Sequence, residues 1–479
     1  MINKEIDLKI TKWIDKNRSV IIEDWIALAK IPSIKSKPCE GAPFGKPCAQ
    51  ALEKAASYFA TAGFSAEVYK DSGYALAYYG ESEKTLGLFC HSDVVPVGDD
   101  WIFTKPFAPV IKNGALIGRG VEDNKSGIMA SLCVLRFLKD ENIPVNSRFQ
   151  VFIGSDEECG MNDINAYLKG HNIPEISIVP DADFPCSKGE KGIYHFMAKS
   201  QMKFNDIVSI KGGEAFNIVL DNVIAKIRYD SNLYAELSSE ISSEFTLDVE
   251  GDYIFLTAKG IAKHASIPEG SVNAALLLFS LLSQCESLCK NDREILKNAA
   301  YIIHDYYGAG IGITHTDDDF GKMTCVNGIV DTLENKLHLS FDVRYGNTLE
   351  PQLLEMTSEN KLNEKGFDVF FKENRPGFSI DKNSKIPELL ESIFSELTGE
   401  HLKSVRMSGG TYARKLKNAF SIGTFWIDKE RKDDVLKMPD GHGGAHQCDE
   451  MIDIEGFFKA VRILIHYCLA CDETLKTDF

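Results

Sequence analysis

Apolar residues recur at helical spacing through the first sixty residues. Val20-Ile21-Ile22, Trp25-Ile26 and Ala29 share a face, and Pro32 stops the run. From about residue 66 the pattern shifts to short apolar runs, Ala66–Tyr69, Tyr74–Tyr79 and Thr85–Cys90, of the length expected for strands. Helical spacing returns over 124–139, with Ile128, Leu132, Leu135 and Leu138 on one side. Phe149–Ile153 and Ile176–Val179 are again short buried-strand runs. Strands alternating with helices predict an α/β fold, with helices layered on a central mixed or mostly parallel sheet.

The texture changes from about 191 to 376. Strand-like alternation at Tyr253–Ala258 and Leu337–Val343 is mixed with a long apolar helix, Ala274 to Leu282. A helical pattern resumes at Ile386–Leu397, followed by glycine-rich segments at 408–410 and 441–444. The expected organisation is therefore one α/β domain built from residues 1–190 and 377–479, interrupted by an α+β block over 191–376.

Composition narrows the class. A chain of 479 residues with 44% hydrophobic and 26% charged residues has ample material for a globular core. The formal net charge of −17 argues against nucleic-acid or anionic-membrane partners. The charged start Ile2-Asn-Lys-Glu-Ile-Asp7 lacks the apolar run of a signal peptide, and no stretch of about 18 apolar residues occurs. A cytoplasmic protein is expected, and its twelve cysteines are read as reduced thiols. Cys468 and Cys471 end an apolar helical stretch with no second pair near them, so a buried reduced pair is expected rather than a redox motif.

Candidate chemistry gathers at three strand ends. Leu86–Cys90 runs into His91-Ser-Asp93, Phe149–Ile153 into Gly-Ser-Asp156-Glu157-Glu158, and Ile176–Pro180 into Asp181. In open α/β sheets the carboxyl ends of strands converge on one crevice. Asp123 precedes the 124–139 helix and so lies near its electropositive end. Taken singly, His91 reads as a hydrogen-bonded histidine, Glu157-Glu158 as solvated surface, and Asp123 and Asp181 as a cap and a turn residue. Together, a histidine and several carboxylates focused on one spot repel one another unless a cation sits among them.

The run His91-Ser-Asp93-Val-Val-Pro-Val-Gly98, with Trp101, Pro106-Phe107, Gly118-Arg-Gly120 and Asp123-Asn-Lys125, resembles the signature of a co-catalytic metallopeptidase family. That family includes carboxypeptidase G, succinyl-diaminopimelate desuccinylase, aminoacylase and carnosinase, and the match is to its PepV-type bacterial dipeptidases. Further blocks follow in family order: Asp156-Glu-Glu158, Pro180-Asp-Ala-Asp-Phe-Pro185, Gly189-Glu-Lys-Gly192, His264-Ala-Ser-Ile-Pro-Glu-Gly-Ser-Val-Asn-Ala274, Gly409-Gly-Thr-Tyr-Ala-Arg414 and Gly444-Ala-His446-Gln-Cys-Asp-Glu450. The resemblance implies two divalent metal ions, zinc as first choice and manganese or cobalt as alternatives. It implies that Asp123 bridges them, that His91 and Asp181 bind one, and that Glu158 and His446 bind the other. Glu157 is implied as the general base acting on a water between the metals, and Asp93 as the carboxylate that fixes the His91 ring. His442 competes with His446 on spacing, but the glycines of Gly441-His-Gly-Gly444 argue against a helical pair, and the family pattern selects His446.

The resemblance makes the middle block a lid. His264 is implied to polarise the substrate carbonyl. Asn217 and Arg344 are implied as polar substrate contacts, with Arg344 suited to a terminal carboxylate. Asn217-Ile-Val-Leu220 departs from the commoner Met-Val-Pro at that point. Gly409, Gly410 and Thr411 complete the substrate-binding set. The lid length, about that of the PepV type and roughly twice that of dimeric relatives, implies a monomer. The expected activity is hydrolysis of dipeptides with a free amino terminus, small peptides being the only partners. Asp181, where the family's deacylases tend to carry Glu, favours this over deacylation of N-acyl amino acids. Retention of Glu157 disfavours a non-catalytic metal-binding protein.

Overall fold

The computed structural model describes residues 2–431, 435–439 and 441–476. The chain divides into two compact units, the first comprising Met1–Gly189, Ile380–Val405 and Gly410–Phe479, the second Glu190–Ser379 and Arg406–Gly409.

The first unit is a helix-flanked mixed sheet. Its strands lie in the spatial order Ser65–Tyr69, Tyr74–Tyr79, Arg148–Gly154, Thr85–His91, Ile176–Ala182, Ala419–Gly423. The first two joints are antiparallel and the next three parallel. Thr85–His91 is buried along its whole length and is flanked on both sides by parallel neighbours, with His91 in register with Gly154 and Leu88 with Ile178. Strands buried on both faces need continuous apolar runs rather than alternation, which is the pattern their sequences carry. The same topology brings the carboxyl ends that precede Ser92, Ser155 and Asp183 side by side.

Helices Lys4–Ala29, Lys125–Asp140 and Ile454–Thr474 pack together, and Lys125–Asp140 also packs on the Thr85–His91 strand. The one-sided stripe expected for Lys125–Asp140 understates its burial. Met129, Cys133 and Phe137 are enclosed as fully as Ile128, Leu132 and Leu135, because the helix lies between the sheet and two other helices. Each such Leu or Phe stabilises the unit by roughly 1.5–3 kcal/mol relative to exposure.

The single helical reading of the first sixty residues divides in two, Lys4–Ala29 and Lys46–Thr61. Pro32, Pro38 and Pro43 break the ladder between them. Gly45 holds φ +100°, and a Cβ there would meet the Ser36 Oγ at 1.9 Å. Cys468 and Cys471 are buried free thiols in Ile454–Thr474. Among the described residues, no helix is long and apolar enough to cross a membrane.

The second unit is α+β and all its strand pairs are antiparallel. One sheet runs Ile207–Lys211, Asn222–Arg228, Tyr253–Lys259, Phe245–Glu250. A second runs Thr324–Val326, Lys336–Tyr345, Gly192–Ser200, Phe367–Arg375, and Thr316–Asp317 pairs with Gly321–Lys322 in a small two-stranded sheet. Helices Ala274–Gln284 and Lys290–Ile302 pack on each other, and their buried faces share one core with the two larger sheets.

Candidate functional site

His91 ends its strand, and Asp123 immediately precedes the Asn124 that opens helix Lys125–Asp140. The two meet: His91 Nε2 lies 3.0 Å from Asp123 Oδ1 and 3.7 Å from Asp181 Oδ2. The other carboxylate oxygen of Asp123 faces a second histidine, with Oδ2 3.0 Å from His446 Nε2. The same His446 nitrogen lies 3.2 Å from Glu158 Oε2. Ligand-type atoms of His91, Asp123 and Glu158 all lie within 4.8 Å of one another. His446, and not His442, is the histidine brought to Asp123; His442 Nδ1 instead lies 2.7 Å from Asp449 Oδ2.

The loops that carry these groups are tied from behind. Asn124 donates through Nδ2 to the Pro180 carbonyl at 2.6 Å and to Asp181 Oδ1 at 2.8 Å, while its Oδ1 accepts the His91 N–H at 3.3 Å. Asp163 accepts the Ser155 and Asp156 N–H groups at 2.7 and 2.8 Å and the Tyr412 hydroxyl at 2.5 Å, which fixes the backbone leading into Glu157. Asp93 accepts the N–H groups of both Glu157 and Glu158. Its expected hold on His91 is present in altered form: His91 Nδ1 bonds the Asp93 carbonyl oxygen at 3.0 Å, with the carboxylate at 3.5 Å.

A carbonyl oxygen only accepts, so in the neutral ring the His91 proton sits on Nδ1, which leaves Nε2 as the nitrogen that faces Asp123 and Asp181. Among the described residues that buried nitrogen has no aligned hydrogen bond, and neither do the buried Glu157 Oε1 and Glu158 Oε1. Burial, with Asp123 close by, pushes the carboxyls of Asp181 and Glu158 above their ordinary range. Burial pushes Glu157 up as well, against the pull of His91. For the histidines burial opposes charge, yet Asp123 with Asp93 raises His91 well above its usual value, and Asp123 with Glu158 lifts His446 to about 11. Asp123 itself moves the other way: burial opposes its charge, but His446 and His91 hold its carboxyl well below the usual range. A set of two imidazoles and three further carboxylates around Asp123 has the donor chemistry of a divalent-cation site.

The remaining expected residues fall into two groups. Gly410 and Thr411 belong to the first unit. The Thr411 side chain is buried, its hydroxyl 2.9 Å from Ser421 Oγ and accepting the Ala413 N–H at 3.1 Å. A Cβ on Gly410 would meet the Arg414 guanidinium at 2.5 Å, so only glycine leaves that side chain in place.

In the second unit Asn217 and His264 are adjacent, since the Ala265 N–H donates to the Asn217 carbonyl at 2.8 Å and Ile218 bridges His264. The Ser266 N–H donates to His264 Nδ1 at 3.2 Å, so in the neutral ring the proton is on Nε2. Arg344 is held by Asp342, two residues before it on the Lys336–Tyr345 strand. Nε donates to Oδ1 at 2.6 Å and Nη2 to Oδ2 at 2.8 Å, and Nη1 reaches the Ser408 carbonyl at 2.9 Å. His195 Nε2 lies 3.0 Å from the same Asp342, and its ring centroid lies 5.0 Å from that of Phe216, next to Asn217, with the planes tilted by 33°. Gly409 lies in this unit too, and a Cβ there would meet nothing closer than Met407 Cε at 3.9 Å.

Asn124, Asp163, Tyr412, Asp342 and His195 were not among the expected site residues. Asn124 and Tyr412 each sit inside a block of the resemblance, and Asp342 stands at the two-residue spacing that shares a strand face with Arg344. Asp163 and His195 carry no comparable signal.

The model of peptidase family M20/M25/M40 matches residues 87–470. A Staphylococcus aureus (strain bovine RF122 / ET3-1) protein named "Putative dipeptidase" is 28% identical over 474 residues, covering 95% of this chain and 97% of the relative. Among solved structures, human carnosine dipeptidase 1 aligns with TM-score 0.60 at 13% identity, over 98% of this chain and 99% of that one. The Saccharomyces cerevisiae di-peptidase Dug1p aligns with TM-score 0.59 at 13% identity, over 98% of each chain. A Bacillus subtilis protein described as a dinuclear metal binding peptidase aligns with TM-score 0.51 at 11% identity, over 96% of this chain and 99% of that one. At these identities the solved structures speak for the fold alone, whereas the family model spans most of the chain. The chain belongs to peptidase family M20/M25/M40 and is a hydrolase acting on peptide bonds.

Proposed function

We propose that this enzyme is a two-metal dipeptidase, acting on dipeptides with a free amino terminus. The observation that carries the reading is the position of Asp123, whose two oxygens each face a different histidine at 3.0 Å. His91 and Asp181 would hold one divalent cation, Glu158 and His446 the other, and Asp123 both. The names of the relatives, which include dipeptidases and a dinuclear metal binding peptidase, support the same reading. Zinc suits imidazole with carboxylates, and manganese or cobalt suits the carboxylate-rich set. When bound, such a pair supplies Lewis-acid polarisation of a carbonyl and acidifies a water.

The chain's own residues do the rest. Glu157 has a buried oxygen with no hydrogen-bond partner among the described residues and a carboxyl pKa raised by burial, so it can take a proton from the attacking water and return it to the leaving amine. Asp93 fixes the backbone from which Glu157 projects. In the second unit, His264 is proposed to polarise the substrate carbonyl oxygen as it gains charge. Arg344, with three of its five N–H bonds already engaged, keeps two for a substrate carboxylate. Asn217 and the glycines Gly409 and Gly410 are proposed as further substrate contacts. Thr411 is proposed to act through the Gly410 backbone, its own hydroxyl being used internally. The lid role of residues 191–376, and a cytoplasmic, monomeric state, complete the reading.

The test is metal analysis of the purified protein combined with an activity screen over dipeptides and N-acyl amino acids. Two divalent ions per chain and preference for free dipeptides are expected. Preference for the N-acyl compounds would replace this reading with a deacylase.

A further inference from the structure

The proposed ligands Asp123 and His446 come from distant parts of the chain, and a buried ion pair joins their backbones. Arg119 and Glu450 are each 1% exposed, and Arg119 Nη1 donates to Glu450 Oε2 at 2.8 Å. Glu450 accepts three main-chain N–H groups from the loop that ends in Asp123: Gly120 at 3.0 Å on Oε2, then Glu122 at 2.9 Å and Asp123 itself at 3.1 Å on Oε1. Arg119 reaches the other way. It donates to the carbonyls of His446 at 3.2 Å and Gln447 at 3.0 Å, and to Pro96 at 3.2 Å in the loop after His91. His446 and Arg119 are 327 residues apart in sequence.

The need for such a tie is visible in the backbone. His446 has φ +67° and Asp449 +52°, the left-handed region that residues with a Cβ enter only when something holds them there. The Arg119 contact to the His446 carbonyl is one such hold, and the Gly118 N–H on the Glu450 carbonyl at 2.9 Å is another. A lone buried charge is costly, and this pair is compensated by carbonyls around the guanidinium and by N–H groups around the carboxylate.

We propose that Arg119 and Glu450 are positioning residues that set the separation and orientation of Asp123 and His446, and so govern metal affinity rather than chemistry. The inference rests on the two-metal reading of the site. Among the described residues, the hydrogen bonds of the two side chains go to main-chain groups and to each other. Glu450 acts through the Asp123 N–H and Arg119 through the His446 carbonyl.

The experiment uses the full-length protein, stripped of metal and titrated with zinc or cobalt alone, comparing wild type with Glu450→Gln and Arg119→Lys. Glu450→Gln places an amide donor where two oxygens accept N–H groups; Arg119→Lys keeps the charge but loses the planar spread that reaches both loops. Both should bind metal about 10–100-fold more weakly, the usual effect of losing a group behind a ligand. The visible band of the cobalt-loaded protein should also change shape, while metal-free variants unfold cooperatively with wild-type far-UV circular dichroism. Wild-type affinity and an unchanged cobalt band in both variants would overturn the proposal, as would loss of cooperative unfolding in both, which would make the pair a folding element. Failure of wild type itself to bind two metals would instead remove the underlying reading of the site.

Discussion

Asp93 Oδ1 accepts the main-chain N–H of Glu157 at 3.2 Å. Oδ2 of the same carboxylate takes the Glu158 N–H at 3.1 Å, so one side chain fixes the backbone under both the proposed base and a proposed ligand. Its backbone carbonyl, meanwhile, sets the His91 tautomer. Asp93→Asn turns one acceptor into a donor facing an N–H, and should lower turnover by about 10–100-fold. Steady-state kinetics check this, and wild-type turnover would show that the contact is incidental.

Glu157→Gln separates base from ligand. The amide keeps the shape but cannot take a proton, so kcat should fall by about 10²–10⁴-fold while metal content is retained. The two are read together, by kinetics and elemental analysis on the same sample. Near-normal turnover with intact metal would remove Glu157 from the mechanism.

Substrate selection should depend on Arg344 and, through it, on Asp342. Arg344→Ala should weaken reaction of dipeptides with a free carboxylate and leave their C-terminal amides little changed. Asp342→Asn, which loosens the guanidinium without removing it, should produce a smaller loss of the same selectivity. Matched substrates decide it: a dipeptide, its amide, its N-acetyl form and a tetrapeptide. Equal loss on acid and amide would exclude Arg344 as the carboxylate anchor.

The Asp342 cluster also predicts a pH signature. Burial opposes its charge, but Arg344 and His195 hold its carboxyl down at about 2, against 3.8 for an unperturbed aspartate. A depressed folded-state value stabilises the fold above the unfolded-state pKa, and this contribution is lost as pH falls through the folded-state value. The stability difference between metal-free wild type and Asp342→Asn should therefore be constant above about pH 5 and shrink by about 2 kcal/mol toward pH 2. Urea unfolding across that range measures it. A difference independent of pH would mean that the aspartate is not held ionised by its partners.

Much of the site was legible because it rides on parallel strands. Thr85–Cys90, Phe149–Ile153 and Ile176–Val179 announce themselves as apolar runs, and the residues just beyond them are the ones the topology gathers. The supports behind them were not legible. Arg119 and Glu450 are 331 residues apart, and Asp163 and Tyr412 249 apart, and one sequence gives no sign that such residues will pair. Periodicity likewise reported one buried face of Lys125–Asp140 but not the second, which exists only because the first and last helices of the unit cover it. The break between Ala29 and Lys46 was marked only by prolines and glycines, whose effect on the chain path depends on where it must go next.

The central claim is that one carboxylate serves two cations, and the direct measurement is the metal stoichiometry of Asp123→Ala beside wild type after equilibration with excess zinc and removal of the unbound ion. The structure predicts two ions per chain in wild type and at least one fewer in the variant, because His91 and His446 each lose the oxygen that faces them at 3.0 Å. Two ions per chain retained in Asp123→Ala would contradict it.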